Sequence, residues 1–486
     1  FESEPLARTN VFAHVRVGNH RFDQIVDGGL AYDLSERESY QWTDGPVEVT
    51  PGALRYAFWK LTQLRYWEAV QDYYEKKKVL VDQRLESDAA RFSRETPHTL
   101  IEPLARFTPS PSKLERYVRN GSALFGAKRR LVDPFVKVRA VSIARLFTNS
   151  EGTACITQDT FYETTVEAWM LADDGVYLNA FRVFTGRTAD DLPSAKALKK
   201  AANDVEAELF ALKKAKPLDP YAGPALLSGN AAGLIFHEAL GHRLEAERLL
   251  SRSEGHTFAQ KLNTRILPAG IDVVDDPSLA SFDGKPLYGH YRVDDEGVPA
   301  ERAVLVEDGV LKSFLRSRTV TGPKLRSNGH GRHAEFEDPM ARMANLFIHP
   351  KAGVSQGELE EKLAEEALAR DLPYGLIVEH TSNGETQTDH YDFQAFKGEP
   401  TEVYTLHPHS GKKTRVRDVS FIGTPLAALQ RILAFGDRYD VDNSYCFAES
   451  GAVPVSTIAP PVLVAELELQ RANRRKNKPP LLAMPK

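Results

Sequence analysis

Ala232-Gly-Leu-Ile-Phe-His237-Glu238-Ala-Leu-Gly-His242-Arg-Leu-Glu245 is the stretch from which the rest of the chain is read. It enters from small and apolar residues, meets two histidines and two carboxylates, and continues through Ala246-Glu-Arg-Leu-Leu250. Leu234, Ile235, Leu240, Leu244, Leu249 and Leu250 recur as the buried face of a helix. Neutral imidazole nitrogens of His237 and His242 suit a borderline-soft cation. Glu238, beside the first histidine, stands where an activated water would find a base. The spacing is H-E-x-x-x-H, one residue longer than the H-E-x-x-H signature. Positions five apart lie roughly 140° apart around an ideal α-helix, so two such rings do not share one ion on a regular helix. A π-type turn closes that angle to about 50°, and Gly241 offers a second place to relax or end the helix. The pattern therefore predicts a distortion between Ala239 and His242. Taken alone, it leaves open two histidines merely hydrogen-bonded on a buried helix.

A chain of 486 residues suits two or three domains. Its 42% hydrophobic and 27% charged content is that of a globular protein without disordered bias. A net charge of -5 gives no support to a nucleic-acid surface. No apolar run approaches the ~18–20 residues of a membrane span. The two cysteines, Cys155 and Cys446, exclude a disulfide framework. Their scarcity leads us to expect a cytoplasmic location. The chain starts at Phe1, and an exported form with a removed leader stays open.

Outward from the central stretch, Lys216-Pro-Leu-Asp-Pro220-Tyr-Ala-Gly223-Pro224 is the best boundary, because its prolines and glycine stop the preceding helix. It divides residues 1–215 from 216–486. Before it we expect short strands over 10–33 and a long helix over 53–93. That helix would carry Leu54, Phe58, Leu61, Leu64, Trp67, Val70 and Tyr74 as one stripe, with Glu75-Lys-Lys-Lys78 in solvent. A short helix at 112–117, strands over 136–147, 153–165 and 167–184, and a charged helix over 194–214 follow. The last of those strands breaks at Asp173-Asp-Gly175. After the central helix the pattern turns to β, with hairpins around Asp294-Asp-Glu-Gly297 and Glu307-Asp-Gly309. Asp294 to Glu296 read as a polar turn, since calcium-loop spacing is absent. Ser327-Asn-Gly-His330-Gly-Arg332-His333 is a glycine-rich loop in which Arg332, with His330 nearby, is a candidate substrate contact. It lacks the Lys-Ser/Thr ending of a phosphate loop. A surface helix over 357–370, strands over 391–406 and 414–422, a helix over 424–435 and a strand pair over 453–470 complete the chain. His380, His390, His407 and His409 read as exposed loop histidines.

Cys446 lies in Ser444-Tyr-Cys446-Phe-Ala-Glu-Ser-Gly451-Ala-Val-Pro454-Val, a turn-rich segment leading into a strand. The H-E-x-x-x-H helix and, after it, that segment resemble the TldD/PmbA metallopeptidase family, its TldD-like catalytic branch in particular. Between them the resemblance takes in Asp294-Asp-Glu-Gly-Val-Pro299, Val306-Glu-Asp-Gly-Val-Leu311, Gly329-His-Gly-Arg332 and Pro339-Met-Ala-Arg-Met-Ala-Asn345. It covers about 221–467. Phe447-Ala448 stands where the family usually has Gly-Lys, Pro460-Pro461 replaces a Gln-Pro, and the Asn383 to Thr388 loop differs. These departures bear on specificity before activity.

The resemblance implies an α+β protein of two domains: a mixed sheet with long helices N-terminally, and a β-rich C-terminal domain carrying the metal-site helix. It implies zinc (Zn2+) on His237, His242 and Cys446, with Glu238 as the base and Glu245 as reserve ligand or partner of the ligands. Two imidazoles and a thiolate leave a fourth position open, as catalytic rather than structural zinc requires. It further implies unfolded or modified peptide substrates in extended form. A homodimer, or a heterodimer with a TldE/PmbA-like subunit, is the implied assembly. Two other readings stand beside the peptidase: a non-hydrolytic peptide-holding partner subunit, and zinc as a purely structural clamp with Glu245 as fourth ligand.

Overall fold

The computed structural model describes residues 6–25, 42–82, 92–126, 131–250, 256–321, 325–334, 337–386, 396–421, 425–472 and 474. Its helices are α1 (Pro51–Asp82), α2 (Pro111–Ala123), α3 (Ala195–Lys214), α4 (Gly229–Phe236), α5 (Gln356–Ala369) and α6 (Pro425–Leu429). With its mixed sheets the protein is α+β, and among the described residues no helix is long and apolar enough to cross a membrane.

In the N-terminal half, Val132–Thr148 and Tyr177–Gly186 flank Ala154–Leu171 antiparallel, and Thr99–Ile101 pairs parallel with its start. The expected break near Thr165 does not occur; one strand runs through it, because both neighbours hold its ladder. Alternation sends Val166, Ala168 and Met170 to one face, where Leu198, Ala201, Ala202, Val205 and Leu209 of α3 cover them. Ser194 starts α3 by accepting the Ala197 N–H at 3.2 Å.

The expected stripe of α1 is corrected by the structure. Leu61 is buried, but Phe58, Leu64, Trp67 and Tyr74 are exposed. The helix instead turns its Leu61, Ala69 and Lys76 line inward. Lys76, expected in solvent, is 1% exposed because its ammonium donates to the carbonyls of Asp23 and Ile25 at 2.9 and 2.5 Å. Two carbonyl acceptors and the nearby Asp23 carboxylate make that burial tolerable.

The C-terminal half stacks helices and sheets. An eight-stranded sheet is ordered Val419–Phe421, Val462–Arg471, Tyr221–Leu227, Gly375–Thr386, Phe396–Leu406, Lys413–Arg417 and Lys216–Pro217, with Ile432–Phe435 also on Val462–Arg471. Side-chain alternation divides its contacts. Leu226, Ile377 and Leu463 meet Leu359 and Leu363 of α5. Ala225, Leu227, Leu376, Val378, Val462 and Val464 face the other way, onto Ile235 and Phe236 of α4. Beyond α4 lies a six-stranded sheet, ordered Val310–Leu311, Ala303–Glu307, Ile271–Asp275, Asn345–Pro350, Gly451–Ala459 and Asp440–Ala448. α4 is thus enclosed between two sheets.

The helix expected over 424–435 stops at Leu429, and Ile432–Phe435 is a strand. Its four-residue apolar run cannot be told from buried helix by periodicity, and pairing with Val462–Val464 decides it. The expected strand over 391–406 is described from Phe396; His390 lies outside the described residues.

Candidate metal centre

α4 begins at Ser228, whose hydroxyl accepts the Ala231 N–H at 3.2 Å. At His237 the helix changes pitch. His237–Gly241 form a π turn in which the His242 N–H donates to the His237 carbonyl, and His242–Leu244 tighten into a 3-10 turn. The distortion falls where the five-residue spacing requires it. Arg243 serves the altered ladder, donating to the Glu238 and Ala239 carbonyls at 2.9 and 3.0 Å. Gly241 passes so near Met343 that a Cβ would collide with its sulfur. The His237 and His242 rings end 5.1 Å apart at an 83° angle.

Cys446 comes from the edge strand of the six-stranded sheet. It pairs opposite Val453 in the hairpin of Asp440–Ala448 with Gly451–Ala459, which turns at Glu449-Ser450. Its Sγ lies 3.1 Å from His237 Nε2 and 3.4 Å from His242 Nε2. One ligand atom from each of the three residues falls within 4.8 Å of the others, and all three residues are buried. Tetrahedral zinc would hold a nitrogen and a sulfur roughly 3.5 Å apart. The donor set therefore fits zinc in both chemistry and spacing.

Burial opposes ionisation here, yet the two imidazoles hold the Cys446 thiol well below its usual range. Against the same burial, the thiolate raises both histidines. A cation bound there would take the place of the protons on these three groups.

Glu238 is 7% exposed, and its Oε2 lies 4.0 Å from His242 Nε2. Gly384 packs over it: a Cβ there would stand 3.1 Å from Glu238 Cγ and closer still to Leu234. Glu245 occupies the other side of His242. Its Oε2 meets Nδ1 at 3.2 Å, on the ring nitrogen opposite the one facing Cys446. A proton on Nδ1 leaves Nε2 as the electron-pair donor. Burial would raise the Glu245 carboxyl, but His242 and Arg248, with Arg342, bring it down to about 2. Arg248 donates through Nε to Glu245 at 2.9 Å and through both other nitrogens to Glu449.

His330 and Arg332 are not brought to this cluster as open contacts. His330 is 0% exposed, with Nδ1 against the Asn328 carbonyl at 2.8 Å and Nε2 against Asp275 at 3.3 Å. Arg332 donates to the Met343 and Pro454 carbonyls at 2.6 and 2.8 Å and lies over the Tyr291 ring. The turn at Asp294-Asp-Glu296 is present, with Asp294 and Glu296 buried and Asp295 half-buried, and its carboxylates accept from the backbone N–H groups of Val298, Gly331, His333 and Arg318. His380, His407 and His409 are exposed. Sequence reasoning passed over Arg243, Arg248 and Arg342. For Arg342 the available signal was its place between small or apolar neighbours, in Met340-Ala-Arg342-Met-Ala.

Residues 221–471 match the model of the PmbA/TldA metallopeptidase C-terminal domain. The chain belongs to the PmbA/TldD metallopeptidase family. A metalloprotease of Archaeoglobus fulgidus is 34% identical over 242 residues, 49% of this chain and 51% of that one. A protein of Saccharolobus solfataricus named zinc metalloprotease TldD homolog is 24% identical over 53% of this chain and 54% of its own length. The chain thus spans about half the length of the curated PmbA/TldD relatives it matches. The crystal structure of TldE from Thermococcus kodakarensis shares the fold, with a TM-score of 0.56 at 16% identity over 84% of this chain and 85% of that one.

Proposed function

We propose that this PmbA/TldD family member is a zinc-dependent peptidase acting on extended, unfolded or modified peptides. The observation that carries the reading is the meeting of His237, His242 and Cys446, with the Glu238 carboxylate beside them. His237 and His242 as neutral imidazoles and Cys446 as thiolate would hold the ion. When bound, zinc supplies Lewis acidity toward a carbonyl oxygen and makes water acidic near neutral pH. Glu238 accepts the proton of the attacking water on its carboxylate and passes it to the leaving amine. Glu245 holds His242 in the tautomer whose Nε2 faces the site. Against the structural-clamp reading, Glu245 engages the far nitrogen of His242 rather than the ligand side.

The strand Asp440–Ala448 lies at a sheet edge, which favours an extended substrate: backbone groups along an edge can pair with an added strand. We further propose a domain division at about residue 216, with the N-terminal unit serving association as a homodimer or with a TldE/PmbA-like subunit. The exposed Trp59 and Trp67 of α1 support such a surface. The test is metal analysis of the parent and Cys446→Ser proteins, followed by incubation with an unstructured peptide library. Zinc at one per chain in the parent alone, with cleavage, is expected. Zinc without cleavage in any dimeric arrangement would favour the peptide-holding subunit.

A further inference from the structure

Arg342 is among the largest fully enclosed side chains in the protein, at 0% exposure. Burying a guanidinium is costly unless its donors are matched. It arrives on the short strand Met340–Ala341 and the residue after it, an element separate from both the central helix and the Cys446 hairpin. Its own N–H is fixed by the His330 carbonyl at 2.9 Å. From there the guanidinium spans the centre. One terminal nitrogen donates to the Cys446 carbonyl at 2.7 Å. The other donates to Ser450 Oγ at 2.7 Å and the Gly451 carbonyl at 2.9 Å. Nε faces Glu245 Oε1 at 3.5 Å, as an ion pair without hydrogen-bond geometry. Glu245 in turn holds His242.

We infer that Arg342 is a positioning residue for the metal centre, fixing the Cys446 hairpin to the carboxylate that orients His242. The inference rests on the His237/His242/Cys446 metal reading. The hairpin and the central helix carry their ligands more than two hundred residues apart in sequence. One planar fork reaches both. A lysine keeps the charge but cannot span three acceptors on the hairpin and a carboxylate opposite. A methionine of similar length removes every contact.

The test uses cobalt(II) added to the full chain, read by the thiolate-to-cobalt absorption band and by competition with a chelator. The parent should bind one cobalt with a thiolate band. Arg342→Met should bind 10–100-fold more weakly, the range typical for partners of metal ligands, with a shifted band. Arg342→Lys should recover part of the affinity but not the parent spectrum. Thermal melting and circular dichroism establish that both variants are folded. Where either is not, Ser450→Ala carries the test, since it removes one anchor of the guanidinium: a several-fold weaker affinity supports the role, and parent affinity with the parent spectrum overturns it. Folded Arg342 variants with parent affinity and spectrum would overturn it as well. A parent protein that binds no cobalt through thiolate would remove the metal reading itself, and this inference with it.

Discussion

Glu238 directly follows His237 and lies 4.0 Å from His242 Nε2, which in the proposed metal centre places its carboxylate beside the ligands rather than among them. Removing its proton capacity should separate binding from chemistry. Glu238→Gln is expected to keep zinc and hold an extended peptide, while cleaving at least about a hundredfold more slowly. Parent rates in a fully loaded variant would refute the base. His242→Ala should instead lose metal and activity together. A different prediction concerns Glu247. Burial, with the charge of Glu296, pushes its carboxyl from 4.5 up to about 8, against bonds from Ser317 and the Ala341 N–H. Folded chain therefore keeps a proton that unfolded chain has released between those pH values, and stability falls as pH rises through that window, then levels. Glu247→Gln should flatten this slope and raise stability at pH 8.5 by on the order of 2 kcal/mol, the half-buried residue giving less than its full shift. Equal pH slopes in denaturant titrations of the two proteins would exclude the effect.

At the scale of elements, the π turn was legible because five-residue spacing and a shared ion are incompatible with α geometry. What the spacing could not carry was the service the distortion needs. Arg243 satisfies the carbonyls of Glu238 and Ala239 only after the turn has formed, and nothing in the pattern marks it. Gly241 was legible as a place to relax, but the steric reason lies in Met343, a hundred residues away. Gly241→Ala should force that sulfur or the turn to move, at a cost of about 1–3 kcal/mol. It should also weaken metal binding; a chelator competition showing parent affinity would mean the turn yields elsewhere. The helix expected over 424–435 failed for a different reason, since a short apolar run takes whichever partner tertiary structure offers. α1 shows the same limit: a long helix was legible, but its buried face was set by the Asp23 and Ile25 carbonyls that accept from Lys76.

Across the whole molecule, the family and the α+β class were legible from ordered motifs spread over the second half, where local patterns also follow strand alternation. The layer order was not, because which sheet covers α4 depends on pairings such as Asn345–Phe347 with Ser456–Ile458. The proposed metal centre would clip a helix to a sheet edge, so a chelator should lower the melting temperature. Occupancy at a thousandfold excess over Kd stabilises by about 4 kcal/mol. Melting that is indifferent to chelator in the parent, and identical in Cys446→Ser, would exclude the clip. The distance of 204 residues between His242 and Cys446 also has a consequence in time. At about 5–20 residues per second, roughly 10–40 s of synthesis separate the emergence of the imidazoles from that of the thiol. Ribosome-bound chains halted before Asp440 should not retain cobalt in a thiolate environment, whereas chains released at full length should. On the proposed peptidase reading, a growing chain and its unfolded neighbours on the same ribosome cluster are shielded until the segment that carries Cys446 has been made.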